Sequence, residues 1–226
     1  MHWDDTGFLI SKNKYNENSL IVEVFTKDHG KTSGILFGGS SRKIKNYLQI
    51  GNNFYTNYNA KNNSKIGYFK FEIIKAETPF FFDNKKKLSC ITSAMQLIKI
   101  LTAESQPNEK IYDLIKNFFL ILNADDWVKN YIFWELNLLR LIGFELNLKK
   151  IAKSEIINNE KKYFVESMNE KKYIPNFLVD NDSGEVENKT LLKGLKLVGD
   201  YLEKNILIPN NLNYPYSRSE FINLFK

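Results

Sequence analysis

Cysteine, histidine and proline are scarce in this chain: one cysteine (Cys90), two histidines and five prolines in 226 residues. A single thiol cannot close an internal disulfide, and there is no CxxC pair, so a disulfide framework and a thiolate zinc site are both excluded. That usage fits a reducing, cytoplasmic setting. His2 lies at the terminus, and His29 sits in "KDHGK", where a residue before glycine serves a turn. No GxSxG, P-loop, GxGxxG or HExxH occurs, which removes the common nucleophile, nucleotide and zinc-protease signatures. The adjacent acids Asp4–Asp5 and Asp125–Asp126 cannot both aim at one reacting atom from neighbouring positions, and the second pair suits the start of a helix. No apolar run approaches the ~18 residues of a membrane span. The opening "MHWDDTGFLISKNK" has acids and no apolar core of a signal peptide. The expectation is a non-enzymatic, cytoplasmic protein.

Core-forming residues are plentiful: 43% of the chain is hydrophobic and 14% aromatic, the opposite of a disordered composition. The net charge is +6. Residues 1–80 hold 11 Lys/Arg against 7 Asp/Glu, so the cationic excess is concentrated in the first third.

Five runs in those eighty residues are rich in β-branched and aromatic side chains: "TGFLISKNK", "SLIVEVFT", "KTSGILFGG", "NNFYTNYNA" and "IGYFKFEIIKAE". Breaks of Gly, Asn, Asp and Ser separate them, as tight turns require. In the last run Phe69, Phe71 and Ile73 share one face. Five short strands predict a small barrel, since closure removes sheet edges. An OB-type barrel over 1–80 is expected, followed by a mostly α-helical domain over 81–226, an α+β chain overall.

Helical periodicity begins after "ETPFFFDNKKK". Leu88, Ile91, Met95, Ile98 and Leu101 follow the helix spacing. Pro107 is expected in the first turn of the next helix. A third helix is expected from an Asn123 cap to Gly143 just past its end. Its apolar residues leave a narrow polar strip of Lys129, Asn130, Asn137 and Arg140. Periodicity weakens from 149 to 187, where "KKYFVES" and "KKYIPNFL" predict a two-stranded hairpin near 155–180. A further helix precedes Pro209, and Ser217 with Glu220 has capping-box spacing before the last apolar residues.

The chemistry these residues offer is phosphate binding. Lys12 and Lys14 end the first predicted strand, Lys31 starts the third, and Arg42, Lys43 and Lys45 follow the Gly38-Gly39-Ser40-Ser41 run without an intervening acid. Strand ends converge in a closed barrel, so these six are the candidate nucleic-acid-binding residues. Tyr47, Tyr55 and Tyr58 are candidate base-stacking residues. A generic OB module binding RNA or a protein is the alternative.

The order of features resembles the RecO family of bacterial recombination mediators. Trp3 precedes "TGFLISKNKYNENSLIVEVFTKDHGKTSGILFGGSSRKIKNYLQIGN", in which Glu17, Ser19, Phe25, Thr26, Gly30, Gly38, Gly39, Arg42, Lys43, Leu48 and Gln49 match the family pattern. "FWELNLLRLIGFELNL" and "SRSEFINLF" match its later blocks. The resemblance implies an OB fold and a helical domain, binding to single- and double-stranded DNA, and annealing of complementary strands. It also implies contact with RecR and with the acidic, Phe-ended tail of single-stranded-DNA-binding protein, and indirect help in loading RecA. Relatives place an Arg where this chain has Phe133, so Lys129 and Arg140 are the substitutes for tail binding. Several relatives carry a four-Cys zinc site. Here Ile151-Ala152 stands where its first Cys would fall and no Cys follows Cys90, so no cofactor is expected and the hairpin must be held by packing of Tyr163, Val165 and Ile174.

Overall fold

The computed structural model describes residues 1–39, 41–61, 66–167, 170–180, 184 and 186–226, with the backbone alone at 43, 167 and 170. Ser40, the "KNNS" turn over 62–64 and much of "MNEK" and "DNDSGEVEN" therefore lie outside the described residues. Contacts group the chain into two compact units, Met1–Phe119 with Pro215–Phe221 and Leu120–Tyr214 with Ile222–Lys226. Strand gives way to helix near residue 80, as the sequence indicates, whereas the compact units divide at 119/120.

In the first unit β1 (His2–Lys14), β2 (Ser19–Thr26), β3 (Gly30–Phe37), β4 (Asn53–Asn59) and β5 (Gly67–Lys75) close a barrel in the order β1-β2-β3-β5-β4. This is the expected OB-type fold. β1 is long enough to serve two neighbours. Residues 2–8 pair with β4, residues 7–14 pair with β2, and an irregularity between Leu9 and Ser11 bends the strand from one partner towards the other. The closing seam is parallel, with Gly34 opposite Gly67 and Leu36 opposite Phe69. Neither glycine has room for a Cβ: at Gly34 it would meet the Phe69 ring at 2.5 Å, and at Gly67 the Tyr58 ring at 2.4 Å. The interior is filled by Trp3, Leu9, Val22, Val24, Leu36, Leu48, Phe54, Tyr58 and Phe69.

One inward position differs from expectation. Ile73 is 42% exposed. Pairing between β3 and β5 stops at Phe69, so the rest of β5 is flanked by β4 alone and runs beyond the barrel wall.

Two helices pack on the outer side of β1 within this unit. α2 (Lys85–Leu101) starts on Asn84, whose side chain accepts from the Lys87 N–H. Cys90 is fully buried on its core face with Ile91, Ala94 and Met95, as a small apolar residue. α3 (Glu109–Ile121) starts after Asn108, whose Oδ1 accepts from the Ile111 N–H, so Pro107 precedes the helix instead of opening it. Phe8 of β1 meets Tyr112 and Phe119 at 5.4 and 6.3 Å between ring centroids.

The second unit contains α4 (Trp127–Leu141), α5 (Leu148–Ile151), β6 (Lys153–Ile157), β7 (Glu160–Ser167), β8 (Glu170–Ile174), α6 (Phe177–Asp180) and α7 (Asn188–Leu202). The residue before α4 is Asp126, not Asn123, and its side chain makes no capping hydrogen bond among the described residues. The C-terminus of α4 closes as expected on Gly143 at φ 89°, with Phe144 N–H donating to Leu139 O and Gly143 N–H to Arg140 O. Gly194 lets α7 approach closely, since a Cβ there would lie 2.8 Å from Phe177 and 3.2 Å from Ile132.

The expected hairpin has a third strand. β6 pairs with β7 through Asn158-Asn159, both at positive φ, the backbone of a tight hairpin turn. Tyr163 and Ile174 are buried as expected, joined by Phe164, and the Tyr163 hydroxyl donates to Asp180 at 2.5 Å. Among the described residues no three His, Cys, Asp or Glu side chains converge, and no helix is long and apolar enough to cross a membrane.

A last helix, α8 (Tyr216–Asn223), includes Ser217 in its first turn. Among the described residues the Ser217 hydroxyl is buried without a hydrogen-bond partner, so the capping box does not form.

Candidate nucleic-acid interface

Between β3 and β4 the chain does not run as an open loop. Gly38 turns at φ 69°, and the Ser41 hydroxyl accepts from the Ile44 N–H to open α1 (Arg42–Tyr47). The helix spacing sorts its residues into two faces. Ile44, Tyr47 and the following Leu48 pack on the barrel interior, while Arg42 and Lys45 are exposed one turn apart. The Lys43 side chain lies outside the described atoms. Asn52 holds the return to β4, donating to Tyr47 O and accepting from the Thr78 N–H.

The end of β1 reaches the same pole. Lys12 donates its ammonium to Leu48 O at 2.5 Å, a cation at the carbonyl end of α1. Burial, followed by the like charge of Lys45, holds the Lys12 pKa below the usual lysine range. Lys12 and Lys45 are thus electrostatic neighbours. Lys14, opposite Leu20 on β2, is exposed at the strand end. Lys12, Lys14, Arg42 and Lys45 form no ion pair among the described residues, whereas seven other lysines of the chain do. One acid, Glu17, lies on the intervening β1–β2 turn.

Lys31 does not join this group. It pairs with Phe25 near the start of β3, five residues before Leu36, about 17 Å along the strand. Its ammonium is buried and donates to Lys99 O at 2.7 Å and Thr102 O at 2.5 Å, closing the C-terminal end of α2. The sequence offers no signal for this, because the carbonyls it meets are some seventy positions away.

The three tyrosines named from sequence separate as well. Tyr58 is buried under Trp3 and Phe69, Tyr47 is half-buried against Phe54, and only Tyr55 is well exposed. Two exposed aromatic rings beside these cations in the chain are ones that sequence reading passed over: Tyr15 on the β1–β2 turn and Phe37 at the end of β3.

On α4 the two candidate tail-binding cations also differ. Lys129 is buried, its ammonium 3.5 Å from Gly184 O. Arg140 is exposed and donates to Asn137 Oδ1 at 2.8 Å. Eleven residues of helix place them roughly 16 Å apart. Phe133 packs edge-on against Phe177 at 6.1 Å.

A closed five-stranded OB-type barrel, with cations at one pole that form no ion pair among the described residues, defines a class of protein able to hold a phosphate backbone. Comparison with known proteins narrows that class. The family models for "Recombination protein O N terminal" and "Recombination protein O C terminal" match residues 1–76 and 84–212. A DNA repair protein RecO of Wolbachia sp. subsp. Drosophila simulans is 29% identical over 99% of this chain and 100% of its own length. The RecO of Rhodospirillum centenum is 23% identical over 100% and 95%, and that of Rickettsia africae 35% identical over 69% and 65%. The chain belongs to the recombination protein O family of DNA repair proteins.

Proposed function

We propose that this chain is a non-enzymatic recombination mediator that binds single- and double-stranded DNA at the α1 pole of its barrel. The observation that carries the reading is the group Lys12, Lys14, Arg42 and Lys45, gathered from two chain segments and free of ion pairs among the described residues. Lys43 lies on the same helix backbone, and its side chain lies outside the described atoms. These groups bind phosphates by charge, without reading base sequence. Neutralising two backbones lets complementary strands approach, which is the physical basis for annealing. Cations gathered at one pole suit holding a phosphate backbone, and that is the role assigned to the site.

Membership of the family supports the finer part of the reading: cooperation with RecR, contact with the acidic tail of single-stranded-DNA-binding protein, and assistance to RecA loading. Arg140 is the exposed cation on α4 and the residue assigned to the tail. Lys129 has a structural position. The test is annealing of complementary strands coated with single-stranded-DNA-binding protein, with and without RecR. Acceleration by the wild-type chain and its loss in Arg42→Glu/Lys45→Glu are expected. Equal annealing by both proteins overturns the assignment of the pole.

A further inference from the structure

Two large aromatic side chains stand unburied on the barrel wall beside the cationic pole. Phe37 is 61% exposed at the end of β3 and Tyr68 is 39% exposed near the start of β5, their ring centroids 6.0 Å apart. Both point outward, because their neighbours Leu36 and Phe69 fill the interior. Tyr15, 56% exposed, lies on the β1–β2 turn directly after Lys14. In OB barrels the strand 2–3 face and the loops before strands 2 and 5 form the ligand surface. Tyr15, Phe37 and Tyr68 belong to the β1–β2 turn, to β3, and to the first residues after the β4–β5 connection. Phe37 is followed within five residues by Arg42.

We infer that Phe37 and Tyr68 form a base-stacking platform, so that the barrel distinguishes single-stranded DNA from duplex. The inference rests on the DNA-binding reading above and adds the group that discriminates. Charge complementarity selects the occupant: rings flanked by cations that form no ion pair among the described residues suit a strand that carries both flat apolar bases and phosphates. A duplex keeps its base faces stacked inside and can use only the cations. A single strand can use both, and aromatic stacking strengthens binding by roughly tenfold per base, whatever the base.

The test uses the full chain and fluorescence anisotropy with three probes of one length: oligothymidine, a duplex, and an abasic deoxyribose-phosphate strand. Phe37→Leu/Tyr68→Leu keeps apolar bulk and removes the rings. Tenfold or greater weakening on oligothymidine is expected, with duplex and abasic affinities within about twofold of wild type. Phe37→Trp/Tyr68→Trp restores oligothymidine binding. Unchanged oligothymidine affinity in the Leu double variant overturns the platform while leaving the cationic site standing. An equal loss on all three probes also overturns it. So does a change in the oligomeric state of the DNA-free protein caused by the Leu variants, which would assign the rings to a self-contact. A wild-type chain that binds none of the probes at low salt removes the DNA-binding reading and the platform with it.

Discussion

Replacing Lys31 by methionine separates structural cations from binding cations. The ammonium is buried on the carbonyls of Lys99 and Thr102, at the end of α2. A charge-assisted hydrogen bond is worth about 1.5–3 kcal/mol. Losing two of them, and leaving two helix-terminal carbonyls without that donor, is offset by no longer burying a charge. The expected net loss is about 2–4 kcal/mol. With a urea dependence of about 2 kcal/mol per M, the unfolding midpoint of the barrel signal should fall by about 1–2 M. DNA affinity of the folded variant should stay within about twofold of wild type, since Lys31 lies about 17 Å along β3 from the pole. Urea melts followed by circular dichroism, paired with anisotropy titrations below the transition, measure both. An unshifted midpoint would refute the capping argument. A variant of normal stability that lost DNA binding tenfold would place Lys31 in the interface after all.

Asp5 provides a pH-dependent test. Burial raises its pKa, but hydrogen bonds from His29, the Asp28 N–H, Thr26 and the Thr6 N–H outweigh that and hold the carboxyl below the usual aspartate range. A depressed carboxylate stabilises the fold above the ordinary aspartate value of about 3.9, and that contribution disappears as pH falls through the lower folded value. Asp5→Asn is therefore expected to cost about 2 kcal/mol at neutral pH. The gap from wild type should close in acid, and a gap independent of pH argues against the reasoning. For the helical unit, Arg140→Ala should weaken binding of an acidic peptide ending in Phe several-fold in a fluorescence titration at low salt. Unchanged affinity would remove Arg140 from that role.

The strand runs of the barrel were legible because alternation and turn residues are local signals: β2 is bounded at Ser19 and Thr26 as the sequence indicates. Non-local features were not. Lys12, Lys14 and Lys31 look alike in sequence, yet Lys31 meets the end of a helix while Lys14 meets solvent. Lys129 sits on a polar strip by periodicity but is buried, because helix spacing alone does not reveal what packs on that strip. β6 was missed although Asn158-Asn159 gave a hairpin signal, since lysine-rich flanks masked its alternation. The short α1 is not legible in the sequence because its apolar face has only Ile44, Tyr47 and Leu48, too few to show a period. Phe37 and Tyr68 fall in predicted strands, and alternation with Leu36 and Phe69 sets both on the outer face, but no local pattern encodes whether another element covers that face.

The central claim, that Lys12, Lys14, Arg42 and Lys45 hold DNA phosphates, is tested most directly by the salt dependence of duplex binding. Four neutralised phosphates predict a slope of log affinity against log salt of about −3.6, roughly a hundredfold loss between 50 and 200 mM salt. Arg42→Glu/Lys45→Glu should flatten that slope by about 2 and weaken binding to every sequence alike. A slope and affinity identical to wild type in the folded double variant would contradict the account.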